Sequence, residues 1–268
     1  MAFTLVLVGG GRMGGALATG LLNASWCAPS QLAIVEPSVE RRAELATELP
    51  GVALLARLEI EHVDEHTGAV LAVKPDYAEN AARDLGALAV RRVLSVVAGL
   101  PAARLEAVFP AGVALVRSMP NTPVLIGKGV SAIAGGSSVT AADLEWAESI
   151  LGAVGTVVRV TERNLDIVTG LSGAMPAYLY MVVEALIEAG VHQGLSRDLS
   201  TALVVGTFEG SGALLAQTGE TPEALRAQVT SPGGVTAAGL RMLESRAVRA
   251  AFLDAVAAAN ERARQLGR

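Results

Sequence analysis

The chain has 268 residues, 51% of them hydrophobic, 18% charged and 3% aromatic, with a formal net charge of −5. That apolar fraction fills one large core or two ordinary ones and excludes a disordered chain. Only two lysines, Lys74 and Lys128, and nine aromatic side chains on an acidic background supply neither the basic patch nor the stacking platform that nucleic-acid binding requires. The single cysteine, Cys27, allows no internal disulfide and no thiolate metal cage, which fits a reducing cytoplasm.

No basic residue precedes the first apolar run, residues 3–8, and that run enters a glycine turn rather than a cleavage site, so it reads as a strand. No apolar run reaches the ~18 residues of a membrane span without a charge, glycine or proline, and a soluble protein with no membrane partner is expected. Further strands are predicted at 31–35, 68–73, 92–97 and 113–119, with weaker ones near Val52, at 131–134 and at 157–160, each separated from the next by a helical pattern or a loop. Several are apolar at consecutive positions, as parallel strands covered on both faces must be. Residues 1–160 therefore read as a doubly wound α/β domain.

Residues 161–268 read as all-helical. Thr161 can cap one helix, Pro176 sits where a first-turn proline is tolerated, and Thr221-Pro222-Glu223 makes another start. Between Asp198 and Glu220 the only charge is Glu209, so a helix over 199–216 is apolar nearly all round and must be buried. About 100 residues have little capacity to bury it alone, so a second copy of the chain is expected to cover it as a homodimer.

Gly9-Gly10-Gly11-Arg12-Met13-Gly14 follows the first strand and opens a helix. Gly9, Gly11 and Gly14 have the spacing that gives a tight turn, close approach of a pyrophosphate and snug helix-on-strand packing, with the helix amino terminus facing the phosphates. Glu36 ends the second strand, 22 positions beyond Gly14. A carboxylate there accepts hydrogen bonds from the adenosine ribose and repels a 2′-phosphate, which favours NADH locally. Arg41 and Arg42 open the next helix; reaching toward a phosphate they would favour NADPH, and otherwise they form a solvated face.

A second glycine motif, Ser231-Pro232-Gly233-Gly234-Val235-Thr236, precedes a helix starting at about Thr236. Exposed backbone amides at such a start accept a small anion such as a carboxylate, with the Thr236 hydroxyl beside it. Alternatively Thr236 merely caps the helix.

Five segments together carry a resemblance: Gly9-Gly10-Gly11-Arg12-Met13, Ala72-Val73-Lys74-Pro75, Ser95-Val96-Val97-Ala98-Gly99, Met119-Pro120-Asn121-Thr122-Pro123 and Ser231-Pro232-Gly233-Gly234-Val235-Thr236. In this order, and over nearly the whole chain, the sequence resembles pyrroline-5-carboxylate reductase. The resemblance implies reduction of the C=N bond of 1-pyrroline-5-carboxylate to L-proline by hydride transfer from NADPH or NADH, the last step of proline biosynthesis. It also implies a Rossmann domain followed by a helical dimerisation domain, with dimers able to assemble further. Val73, Lys74, Pro75, Ala98, Gly99 and Asn121 would line the cofactor cleft with the glycine turn, the Ser231–Thr236 loop would hold the substrate carboxylate, and Thr236 would orient the ring nitrogen. Two departures stand out. Gly173-Ala174-Met175-Pro176-Ala177-Tyr178 replaces the family's Gly-Ser-Gly-Pro-Ala-Tyr, and Arg12 stands where the family commonly has Asn.

Other constellations are weaker. His62-Val63-Asp64-Glu65-His66 has a zinc-peptidase spacing but lies in a charged connector with no third ligand nearby, so no metal is expected. Glu184 and Glu188 mark the wet edge of a helix, and Cys27 is inert packing. A β-hydroxyacid dehydrogenase would need a lysine in the helical half, where there is none after Lys128. A nicotinamide-binding sensor without turnover, or a reductase of a related cyclic imine, is the alternative that the altered Ala174-Met175 loop admits.

Overall fold

Each short apolar run becomes a strand, because β-branched and leucine side chains at consecutive positions fit a sheet covered on both sides. The computed structural model describes residues 2–88 and 90–266. In chain order its elements are β1 (Leu5–Val8), α1 (Arg12–Asn23), β2 (Leu32–Val35), α2 (Val39–Glu48), β3 (Ala53–Leu55), β4 (Gly68–Leu71), α3 (Pro75–Ala87), β5 (Arg92–Ser95), α4 (Ala102–Glu106), β6 (Ala114–Met119), β7 (Gly129–Gly135), α5 (Ala141–Gly152) and β8 (Gly155–Arg159). Helices follow from there: α6 (Glu162–Val168), α7 (Met175–His192), α8 (Arg197–Thr218), α9 (Pro222–Gln228), α10 (Val235–Ser245) and α11 (Val248–Leu266).

The strands form one sheet in the order β3-β2-β1-β4-β5-β6-β7-β8. All neighbours are parallel except β6 and β7, which pair antiparallel with Val116 opposite Gly135. From β1 the chain steps outward to β2 and β3, then returns to β4 on the other side of β1. The carboxyl ends of β1 and β4 are therefore the switch point where a doubly wound sheet opens a crevice.

Alternation along the strands divides the core. Leu5 and Leu7 of β1, Ile34, Leu94 and Val116 face Leu17 and Leu21 of α1 and Ile150 and Leu151 of α5. Val6, Ala33, Leu71, Val93 and Leu115 face Ala78, Ala82 and Leu85 of α3 and Leu105 of α4. Each of these large side chains, fully buried, contributes about 1.5–3 kcal/mol.

The composition changes at residue 160, but the contacts divide the chain later. Met1–Ala174 together with Ala258–Arg268 make one unit, and Met175–Ala257 the other. The reason is α6: capped by the Thr161 hydroxyl, it packs Leu165 onto Ala132 and Ala134 of β7, so it belongs with the sheet.

The second unit has no dry core of its own. Among the described residues α7, α9 and α10 contribute no buried side chain, and α8 contributes only Ser200. The expectation of a nearly all-apolar helix is met by α8, where Leu203 is 54% and Leu214 52% exposed in the single chain. Counting uninterrupted apolar runs understates these helices: 162–192 and Arg197–Thr218 are each long and apolar enough to cross a membrane by length and composition. Scattered glycines and single glutamates break a run without making a helix polar on average.

Apolar surface of this extent on facing helices needs a partner. Leu203→Asp is expected to shift the protein from dimer to monomer in analytical ultracentrifugation, with a lower and concentration-independent Tm; an unchanged dimer would remove α8 from the interface.

Candidate functional site

At the switch point the chain leaves β1 through Gly9 at φ +109°, a left-handed region that only glycine enters freely. A Cβ on Gly9 would also lie 2.5 Å from the Ala72 carbonyl oxygen, and one on Gly14 would overlap the Gly9 carbonyl, so strand, turn and helix are in direct backbone contact. Gly11 differs, since a Cβ there would meet nothing within 4 Å. It is the N-cap of α1 and offers no side-chain hydrogen bond, so the first-turn amides of α1 face open space. Gly9 and Gly14 are thus required by packing, and Gly11 leaves room for a guest. An uncapped helix start with its positive dipole end is the arrangement that accepts a diphosphate.

The crevice is about 910 Å³. Gly9, Gly11, Glu36, Val73 and Lys74 from the sequence analysis lie on its wall. Arg57, Leu58, Tyr77 and Asn80 line it too, and no motif marked them: β3 is only three residues long, and Tyr77 is one exposed aromatic on a helix face. Gly10 lies behind the wall against Leu45 and Ile34, Arg12 is exposed, and Met13 turns its side chain into the core, leaving its backbone to the turn. Pro75 occupies the first turn of α3, where its fixed φ suits the helix start after Lys74.

Glu36 is bound to the chain at both oxygens, accepting from Gly10 N at 3.0 Å and Ser38 N at 2.9 Å. It therefore fixes the glycine turn as well as facing the crevice. The two arginines beyond it are neither a solvated face nor free to reach a phosphate. Arg41 donates Nε to the Gly10 carbonyl at 2.8 Å, and Arg42 donates to the carbonyls of Glu36 and Pro37. Arg41 also pairs its terminal nitrogens with Glu44 at 2.7 Å and Glu48 at 3.3 Å, so both guanidinium groups are committed within the chain, partly to backbone carbonyls that the turns leave unpaired.

Farther along the carboxyl edge, Ala98 and Gly99 lie in the loop between β5 and α4, with Gly99 at φ +74°. A charged brace supports this loop. Glu162 Oε1 accepts from Ala102 N at 2.6 Å and from the buried Arg117 guanidinium at 2.7 Å. Asn121, just after β6, accepts from Val130 N at 2.9 Å through Oδ1 and directs Nδ2 to Ser172.

The second glycine motif lies in the Met175–Ala257 unit. Gly233 has φ +70°, and a Cβ on Gly234 would overlap the Ser231 hydroxyl. Gly234 is the N-cap of α10, again with no side-chain cap, and α10 begins at Val235, one residue earlier than expected. Thr236 is therefore inside the first turn rather than the cap residue. Val235 is 92% exposed and Thr236 also faces solvent. The helix presents free amides beside a hydroxyl, which suits a carboxylate joined to a hydrogen-bonding nitrogen.

The Ala174-Met175 departure leaves the backbone undisturbed. Ala174 is αR with φ −87°, and Met175 begins α7, so neither position needs glycine. The competing constellations lose their chemistry. His62 accepts from Glu59 N at 3.0 Å through Nδ1. His66 is exposed, and among the described residues no group of three His, Cys, Asp or Glu could hold a metal. Glu188 pairs with Arg197 on the surface. Burial pushes the Cys27 thiol up, away from a reactive thiolate.

A family model described as pyrroline-5-carboxylate reductase dimerisation matches residues 162–266, and one described as NADP oxidoreductase, coenzyme F420-dependent, matches residues 4–99. The pyrroline-5-carboxylate reductase of Corynebacterium melassecola is 39% identical over 270 residues, covering 99% of each chain, and that of Synechocystis is 37% identical over the full length of both. Among solved structures, a Plasmodium falciparum pyrroline carboxylate reductase with NADP bound superposes with a TM-score of 0.86 at 32% identity over 98% of each chain. A Coxiella burnetii pyrroline-5-carboxylate reductase superposes at 0.89 with 28% identity over the whole of both.

The two kinds of glycine in the first turn separate experimentally. Gly9→Ala is expected to lower Tm markedly, because backbone must move. Gly11→Ala is expected to keep Tm within about 2 °C yet weaken dinucleotide binding at least tenfold by fluorescence titration; unimpaired binding by Gly11→Ala would place the diphosphate elsewhere.

Proposed function

The chain belongs to the pyrroline-5-carboxylate reductase family, and from that membership and the uncapped helix starts at Gly11 and Gly234 we infer the roles of its residues in reducing 1-pyrroline-5-carboxylate. The reaction is the reduction of this cyclic imine to L-proline with NAD(P)H, the closing step of proline biosynthesis. The observation that carries the reading is the open side of Gly11 on an uncapped α1, joined to full-length similarity with reductases of this name.

The nicotinamide cofactor, when bound, supplies the hydride that adds to the imine carbon. The chain holds and orients. Backbone amides from Gly11 to Met13 take the diphosphate, and Glu36 takes the adenosine ribose while anchoring the turn through the Gly10 amide. Val73, Lys74 and Pro75 line the crevice wall, and Ala98, Gly99 and Asn121 serve the nicotinamide end. In the helical half, assigned to residues 161–268, the first turn of α10 takes the substrate carboxylate at the Ser231–Thr236 loop. The Thr236 hydroxyl bonds the ring nitrogen. A protonated or hydrogen-bonded imine already accepts hydride readily, so positioning dominates over acid–base work, and no histidine is needed.

The protein is a homodimer through its helical half. Assembly of dimers into a larger homo-oligomer, a cytoplasmic location and the absence of any membrane role are part of the same proposal. They are supported by the dimerisation family match over the apolar helices and by the single cysteine.

Oxidation of NADPH and NADH, followed at 340 nm with pyrroline-5-carboxylate, tests the reading; no turnover with either sinks it. Thr236→Ala is expected to lower kcat/KM for the imine at least tenfold with cofactor Kd unchanged, and an unaltered rate would remove Thr236 from the reaction. Glu36→Gln keeps an acceptor for Gly10 N and removes the charge, so the NADPH to NADH ratio of kcat/KM is expected to rise severalfold; a constant ratio would mean that Glu36 only anchors the turn.

A further inference from the structure

We infer that Asn260 is a positioning residue for the nicotinamide end of the site, acting through a single wide turn of helix on Asn121. The inference rests on the functional reading of Asn121 given above.

Residues Thr169–Gly173 form a π-turn between α6 and α7, closed by Ala174 N donating to the Thr169 carbonyl at 3.0 Å. Such a turn shifts the hydrogen-bond register by one residue, and it persists in proteins mostly where it places a functional group. Here the shift leaves the buried Gly170 amide to find another acceptor. The acceptor is Oδ1 of Asn260 on α11, 2.8 Å away and 90 residues later in the chain. Asn260 is itself buried, at 8% exposure, so water does not readily replace it.

The far side of the turn meets the end of β6. Ser172 presents both its carbonyl and its hydroxyl to Nδ2 of Asn121, each at 3.4 Å. Gly173 packs so closely on the Met119 side chain that a Cβ would overlap it. With Oδ1 of Asn121 already fixed by Val130 N, the Ser172 contacts determine how firmly the Asn121 amide is held. Asn260 thus keeps the π register, the register keeps Ser172 against Asn121, and Asn121 is held at the carboxyl edge of the sheet. Without the acceptor, the turn recovers its lost bond by relaxing to the ordinary α register. That relaxation rotates the following residues by about 100° and carries Ser172 off Asn121.

The test compares Asn260→Ala, Asn260→Asp, which keeps the acceptor oxygen, and Ile150→Val, a core substitution on α5 that loosens the fold without approaching the turn. Expected for Asn260→Ala is a fall in kcat of at least tenfold with the NADPH Kd within threefold of wild type. Asn260→Asp should recover to within threefold, and Ile150→Val should lower Tm while kcat stays put. An Asn260→Ala protein that loses Tm as Ile150→Val does, with kcat within twofold of wild type, overturns the inference. If Asn260→Ala does not fold, Ser172→Ala replaces it, with a threefold or greater loss of kcat at unchanged Tm expected and unaltered kcat contradicting. A wild-type protein without imine turnover would instead refute the functional reading. Amide exchange of residues 169–173 with NADPH bound then decides this one: faster exchange in Asn260→Ala upholds it, and equal protection overturns it.

Discussion

Among the described residues, two helices, α1 and α10, begin on glycine with no side chain answering their first-turn amides, and the proposed chemistry depends on those amides. Five other helices are capped by side chains: the hydroxyls of Ser38, Thr140, Thr161, Ser196 and Thr221 each accept a first-turn amide of α2, α5, α6, α8 and α9. A side-chain cap stabilises a helix by about 0.5–2 kcal/mol. Gly11 before α1 and Gly234 before α10 forgo that stabilisation. What they gain is an open positive helix end, worth about 0.3–1 kcal/mol per anionic contact at an exposed site and up to about 2 when partly buried. The anions proposed for them are the two the reaction brings, a diphosphate and an amino-acid carboxylate.

The rest of the first unit holds the α1 cradle open. Gly9 and Gly14 bring β1, β4 and α1 into backbone contact, so the turn has little freedom to collapse onto its own amides. Glu36 and Arg41 clamp Gly10 from opposite sides, one taking its amide and the other its carbonyl. Arg42 ties the end of β2 to α2 in the same way. These side chains at the mouth of a nucleotide crevice do structural work on peptide groups that turns leave unpaired.

Much of this was legible in the sequence, and the legible part was local. All eight strands appear near where consecutive apolar residues predict them, with β7 extending earlier than residues 131–134 suggest because its parallel partner, β8, pairs with Gly129 and Val130. Thr161, Pro176 and Thr221-Pro222 mark helix starts because caps and first-turn prolines act within three or four residues. What was illegible depends on partners far apart in the chain. The bond from Gly170 to Asn260 spans 90 residues, and the brace from Ala102 to Glu162 spans 60. No spacing rule reports either. The composition change at 160 likewise gave no sign that α6 packs on β7 and that the contacts divide the chain only at Ala174. From sequence Arg41 and Arg42 read as reaching a phosphate or as a solvated helix face, because sequence shows their charge but not the unpaired carbonyls of Gly10, Glu36 and Pro37 that they bind.

The central claim is that the uncapped glycine starts of α1 and α10 each hold one of the two anions. A crystal structure of the dimer with NADP⁺ and L-proline bound tests it most directly. The account predicts diphosphate oxygens at about 3 Å from the first-turn amides of α1 and the proline carboxylate at the same distance from those of α10, a normal hydrogen-bond length. A carboxylate bound away from the Ser231–Thr236 loop, with the α10 amides still facing water, would contradict it.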